Sequence, residues 1–199
     1  VVTPLGTYSS EYTEGYVGEG RGYWNYRSFI GKDNFSAGIG PHTRSPGGKA
    51  STSKFENPFL KPASPADKAA HPTWCFRFTG VDREVSYTDA TDKTGEFFIF
   101  DFAWYMAQHS VPAPDVITIA LSTNDINLDT GNYTKAERMQ YMRLGLQVMV
   151  RQIKAAVPNV KIGIIPAPGW SSTTMGDAVW QEETSAWISS RFYFKSGQL

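Results

Sequence analysis

Between Asp115 and Asp125 the chain reads Asp-Val-Ile-Thr-Ile-Ala-Leu-Ser-Thr-Asn-Asp, and few folds accommodate that order. Val116 to Leu121 is a short β-branched and aliphatic run with little polar alternation. Such a run fits a strand buried on both faces, as in a parallel sheet flanked by helices. Pro112 and Pro114 stop any helix from growing into it. Val160 to Ile165 repeats the same composition further along. Between the two runs, Thr134-Lys135-Ala136-Glu137 has the form of a capping box. Met139, Met142, Leu146, Met149, Val150 and Ile153 then mark one face of a long amphipathic helix that Pro158 closes. Strand, helix, strand at this spacing predicts a βαβ unit with parallel strands, and hence an α/β fold.

Ser122, Thr123, Asn124 and Asp125 follow the first run, at the carboxyl end of the predicted strand, where open α/β sheets bind ligands. An Asn held there can offer a side-chain N–H to a developing negative charge. Asn124-Asp125 also suits a simple turn, since both side chains hydrogen-bond their own backbone. A second candidate lies near the start of the chain, at Gly18-Glu19-Gly20-Arg21-Gly22-Tyr23-Trp24, followed by helix-compatible spacing over Asn25 to Ile30. Alternating glycines permit positive φ and close backbone approach. A helix opening just after them would aim free N–H groups at the same place. The loop lacks the Lys-Ser/Thr of a phosphate-binding loop and the full dinucleotide pattern, and it is equally compatible with a flexible surface turn.

Leu121-Ser122-Thr123-Asn124-Asp125-Ile126 resembles the third conserved block of the SGNH (GDSL-type) serine hydrolases, a Gly-x-Asn-Asp sequence ending a central strand; Ser122 stands where that family usually has Gly. Leu5-Gly6-Thr7, a loop, then Glu19-Gly20-Arg21-Gly22-x-Trp24 resembles the second strand and second block of the same family. The resemblance implies a three-layer α/β/α sandwich with a mostly parallel, flavodoxin-like sheet. It implies that the Asn124 side chain and the Gly22 backbone N–H, with Gly20 as the neighbouring alternative, form an oxyanion hole. Arg21, Trp24 and Trp170 are the expected substrate contacts. Trp170 follows Pro166-Ala167-Pro168-Gly169 at the carboxyl end of the second run, where a ring packed under the loop is the equal alternative.

With 199 residues and a formal net charge of zero, the chain suits one domain with a substantial core. The absence of a dense basic run argues against nucleic acid or an anionic membrane as partner. No apolar stretch approaches the length of a membrane span. Cys75 is the single cysteine, which leaves an inert buried thiol and no intrachain disulfide or cysteine-based metal cluster. The aromatic content of 14% fits either ring and sugar binding or a large aromatic core.

Elsewhere, Val1 to Thr7 reads as a short strand, and 31–73 as a long loop insertion. Within that insertion, Phe55-Glu56-Asn57-Pro58-Phe59-Leu60 is an apolar island that either covers the mouth of the site or packs on the core. Trp74–Phe78 and Val81–Tyr87 are expected to pair as an antiparallel hairpin around Gly80. Phe102, Tyr105 and Met106 fall at helical spacing before Pro112. His109 then sits at the wrong end of the sheet for catalysis, and Gln181 to Phe194 has the pattern of a further helix.

A serine hydrolase also needs a nucleophile and a base. No Gly-Asp-Ser occurs in the chain, and none of His42, His71 and His109 lies in an Asp-x-x-His. Retaining two interior blocks while both terminal ones are absent points to a single domain, 1–199, without its first strand and its C-terminal helix, rather than to a degenerate one. The absent segments of the same protein would then associate with this one. The resulting expectation is a serine esterase acting on a small-molecule or polysaccharide ester, with O-acetyl groups on carbohydrate as one such class, and with no metal or organic cofactor. A non-catalytic carbohydrate-binding domain on the same sheet is the rival, and a nucleotide-binding domain using Gly18–Gly22 is a third reading. The compartment stays open, with a secreted or periplasmic one favoured.

Overall fold

The computed structural model describes residues 24–32, 57–77, 84–121, 125 and 133–165, together with the strand positions 8–9, 17–18, 40–41 and 56. The described strands are β1 (Tyr8–Ser9), β2 (Val17–Gly18), β3 (Gly40–Pro41), β4 (Glu56–Asn57), β5 (Leu60–Pro62), β6 (Phe76–Arg77), β7 (Phe97–Phe100), β8 (Val116–Ala120) and β9 (Lys161–Ile165). The described helices are α1 (Tyr26–Ile30), α2 (Pro65–Ala70), α3 (Phe102–His109) and α4 (Lys135–Ala156). Mixed helices and strands with parallel pairing make this an α/β protein. None of these helices is long and apolar enough to cross a membrane.

The predicted βαβ unit is present. β8 and β9 pair in parallel, with Ile117 opposite Ile162 and Ile119 opposite Ile164, and α4 joins them. Thr134 caps α4 by accepting from the Glu137 N–H, and the Glu137 carboxylate returns a bond to the Thr134 N–H at 2.8 Å. Met139, Met142, Leu146, Met149 and Ile153 are buried along the helix as their spacing predicts, and Val148 joins them.

Burial of the strands on both faces is not observed. Along β8 only Ile119 is buried, Ile117 is half-buried, and Val116 is 61% exposed; on β9, Ile165 is 51% exposed. A strand directs alternate residues to opposite faces. Ile117, Ile119, Ile162 and Ile164 face the core, while Val116, Thr118, Ala120, Lys161, Gly163 and Ile165 face away from it. An unbroken apolar run states what a strand tolerates, not how many layers cover it.

The 31–73 stretch is not a loop throughout. Leu60–Pro62 pairs antiparallel with Phe98–Phe100, so β5, β7 and β6 form a three-stranded sheet in that order. Ser64-Pro65-Ala66-Asp67 then starts α2 with Pro at its first turn and a reciprocal Ser64–Asp67 capping box, which outweighs the weak periodicity of the stretch. Lys61 joins two helix starts, reaching Asp67 of α2 at 3.4 Å and Asp101, the N-cap of α3, at 2.8 Å. Desolvation is the largest influence on Asp67 and acts to raise its pKa. Hydrogen bonds from Ser64 and the Lys61 charge together outweigh it and hold the carboxyl below its ordinary range.

The apolar island packs on the core. Phe59 stacks on Tyr105 at 4.2 Å and on Phe100 at 5.0 Å, and Leu60 is buried. The antiparallel pairing expected after Trp74 is present, with Tyr87 N–H bonded to the Cys75 carbonyl and Phe76 bridged to Ser86; Gly80 lies outside the described residues. Phe102 and Tyr105 are buried in the short helix predicted there. Cys75 is fully buried, and desolvation, followed by the nearby Asp67 charge, pushes its thiol up to about 11, in keeping with an inert sulfhydryl.

Asn57 is the least expected part of this framework. Its amide donates to the carbonyls of Ser28 and Phe29, both at 2.9 Å, and its Oδ1 accepts from the Phe59 N–H at 3.0 Å. It thereby satisfies the C-terminal carbonyls of α1, which is buried on every side. Replacing Asn57 with Ala should cost about 2–3 kcal/mol in chemical denaturation, the range for leaving buried partners unmet. Asn57→Asp should cost more, because it sets a carboxylate against the same two carbonyls. A smaller loss for Asp than for Ala would contradict this role.

Candidate functional site

The candidate site is built on α1. The helix has only five residues, Tyr26, Arg27, Ser28, Phe29 and Ile30, all of them buried. Asn25 caps it, accepting from the Ser28 N–H at 2.8 Å, and the Ser28 hydroxyl answers the Asn25 N–H at 3.4 Å. At the other end Gly31 adopts a left-handed conformation with φ of 77°, and its N–H returns to the Ser28 carbonyl. Only glycine takes that φ without strain, and any side chain at Gly31 would also press on Leu60 at 3.1 Å. The helix predicted over Asn25 to Ile30 is therefore present, with a cap at each end.

The first-turn N–H of Tyr26 is beyond reach of the Asn25–Ser28 box, and the partner it finds is Asp125. Asp125 Oδ2 accepts it at 3.1 Å, across 99 positions of sequence. Asp125 is 0% exposed. A buried carboxylate accepting a backbone N–H makes a charge-assisted bond, and such a group is costly to bury without partners. The contact joins the residues flanking the two sequence motifs. Tyr26 lies four positions after Gly22, and Asp125 directly follows Asn124 in sequence, five positions after the last residue of β8.

Gly22, Arg21, Asn124 and Trp170 lie outside the described residues. Trp24 is described, next to the N-cap of α1. The ring is 2% exposed and packs against Phe29 in a T-shaped arrangement, with the ring centres 4.9 Å apart. The spacing of Trp24 before a buried helix carried that information, because an aromatic next to an N-cap is well placed to pack on the first turns.

Positive charge in the α1 segment is held on aromatic faces. The Arg27 guanidinium, on a fully buried residue, lies 4.6 Å from the centre of the Tyr133 ring. Tyr133 meets Tyr141 edge-on at 5.6 Å, and the Lys32 ammonium lies 4.7 Å from the Tyr141 ring while donating to the Glu84 carbonyl. Such contacts gain strength when desolvated. His109, at the last turn of α3, lies 5.5 Å from Tyr105 and belongs to that helix's aromatic cluster.

Tyr26 is buried, and its N–H is bonded to the Asp125 carboxylate. Burial first, and the Asp125 charge second, raise its pKa well above that of an ordinary tyrosine. The phenol therefore stays neutral and is unsuited to act as a base. Sequence alone suggested no more than a turn-forming role for Asp125 and none for Tyr26. No local pattern identifies a partner 99 positions away. Comparison of the chain with protein-family models, curated proteins and solved structures gives no match.

An alkaline titration tests the Tyr26 environment. An unfolded tyrosine loses its proton near pH 10 and the folded Tyr26 does so only at higher pH, so the unfolded chain is the first to ionise. Stability from this residue is complete below about pH 10 and falls as pH rises beyond it. The Tyr26 hydroxyl has no hydrogen-bond partner among the described residues, so Tyr26→Phe should be close to neutral in stability at pH 8. Above about pH 10 the Phe variant should melt higher than the wild type. Melting curves that stay parallel up to pH 11 would count against the buried phenol.

Proposed function

We propose that this chain belongs to a serine esterase of SGNH type, built as a three-layer α/β/α sandwich, that hydrolyses carboxylic esters. The Gly22 backbone N–H and the Asn124 amide are its oxyanion donors, and the nucleophile is a serine outside these 199 residues. The observation that carries the reading is the Tyr26–Asp125 bond. It ties the helix that begins four positions after Gly22 to Asp125, the residue after Asn124 and five positions past the end of a parallel strand. Tyr26 and Asp125, far apart in sequence, each lie within four positions of a residue that the resemblance assigns to one half of an oxyanion hole.

The chemistry required of the two donors is simple. When a serine oxygen attacks the ester carbonyl, the carbonyl oxygen gains negative charge. Two N–H groups aimed at that oxygen stabilise it more in the transition state than in the ground state, each by roughly 3–4 kcal/mol. Trp24 and most of the described aromatic rings are used in the core, so the aromatic content does not single out a carbohydrate ester.

Two measurements on the full-length protein test this. A fluorophosphonate probe should label one serine covalently, whereas a non-catalytic carbohydrate-binding domain on the same sheet would remain unlabelled. Asn124→Ala should lower kcat on an aryl acetate by about 10²–10³ with little change in KM. A variant with normal melting temperature and near-normal kcat would remove the role assigned to Asn124.

A further inference from the structure

α4 carries a glycine on its buried side where every sequence rule favours another residue. Gly145 sits between Met142 and Leu146, in the middle of a 22-residue helix. A glycine at an interior helical position is less stable than alanine there. The packing explains it. A Cβ at position 145 would stand 2.7 Å from the Tyr26 Cβ, 2.9 Å from the Tyr26 carbonyl oxygen and 3.0 Å from the carbonyl carbon. Two of those atoms are backbone and the third is fixed to it, so a rotamer change cannot relieve the overlap. α1 and α4 therefore meet backbone to backbone at Tyr26, and this same residue donates its N–H to Asp125.

We propose that Gly145 is a positioning residue for the Tyr26–Asp125 contact: its missing side chain seats α1 deeply enough against α4 for the Tyr26 N–H to reach the Asp125 carboxylate. The effect on turnover rests on the esterase reading, because it passes through Asp125 to the donor before it. The effect on the contact itself does not.

The wild type, Gly145→Ala, Asp125→Ala and the double variant should be compared in the full-length protein. In Gly145→Ala the Tyr26 amide should lose at least tenfold of its hydrogen-exchange protection while Ile153, farther along α4, keeps its own. The melting temperature should fall, where an unobstructed helix glycine replaced by alanine would raise it. On an aryl acetate, kcat should drop at least tenfold with KM within about twofold. The double variant should be no slower than Asp125→Ala alone, because both substitutions break one contact.

A raised melting temperature with Tyr26 protection intact overturns the proposal, and so do additive losses in the double variant. If Gly145→Ala does not fold, the overlap is supported and Asp125→Ala, which leaves α4 untouched, decides the rest: unchanged Tyr26 protection or unchanged kcat there overturns it. A wild type that neither hydrolyses esters nor takes the probe defeats the esterase reading alone, and the exchange data then stand or fall independently.

Discussion

A five-residue helix buried on every side cannot leave its backbone ends to water, and that constraint organises the described structure. The first turn of α1 needs acceptors and its last turn needs donors. Asn25 and Ser28 supply one acceptor locally, and Gly31 turns the chain so that it folds back on the last turn. Further groups are met from a distance, the Tyr26 N–H by Asp125 and the Ser28 and Phe29 carbonyls by Asn57. Both are polar residues with no exposed surface. α1 offers hydrogen-bond partners to both, and they in turn satisfy groups at its two ends.

What the sequence disclosed follows from the range of the interactions involved. The βαβ unit was legible because α4 repeats its apolar face over 22 residues and because Thr134 and Glu137 announce its start. α1 was legible from spacing alone. β5 and α2 were hidden in a Gly-, Pro- and Ser-rich stretch, although Ser64-Pro65-Ala66-Asp67 is a local signal that reads correctly once it is weighed above composition. The exposed faces of Val116 and Ile165 were not legible, since apolarity constrains a strand without counting the layers around it. At the site, the resemblance singled out Asn124, while the residue whose contacts are described is its neighbour Asp125. The partner of Asp125 is chosen by the tertiary fold, and no periodicity reports it.

The aromatic richness of the chain has a second use beyond the core. Tyr133 and Tyr141 give Arg27 and Lys32 electron-rich faces at a depth where water is scarce. The Asp125 carboxyl is buried in the same region. Charged groups buried in this way are sensitive to the removal of any neighbour, which makes the α1 region unforgiving of substitution.

The span of the Asp125 contact also has a consequence for the order of folding. A helix of five residues lies far below the length at which helices persist alone, so α1 cannot act as a nucleus. β8, α4 and β9 are consecutive among the described elements, and the β8–β9 pairing closes a shorter loop. The Tyr26–Asp125 bond closes a loop of 99 residues, whose entropy is lost before the bond can repay it. α1 therefore docks onto a framework that already exists. Destabilising changes at its two ends should speed unfolding and leave the folding rate nearly untouched. The region that carries the candidate site is then the last to assemble and the first to come apart.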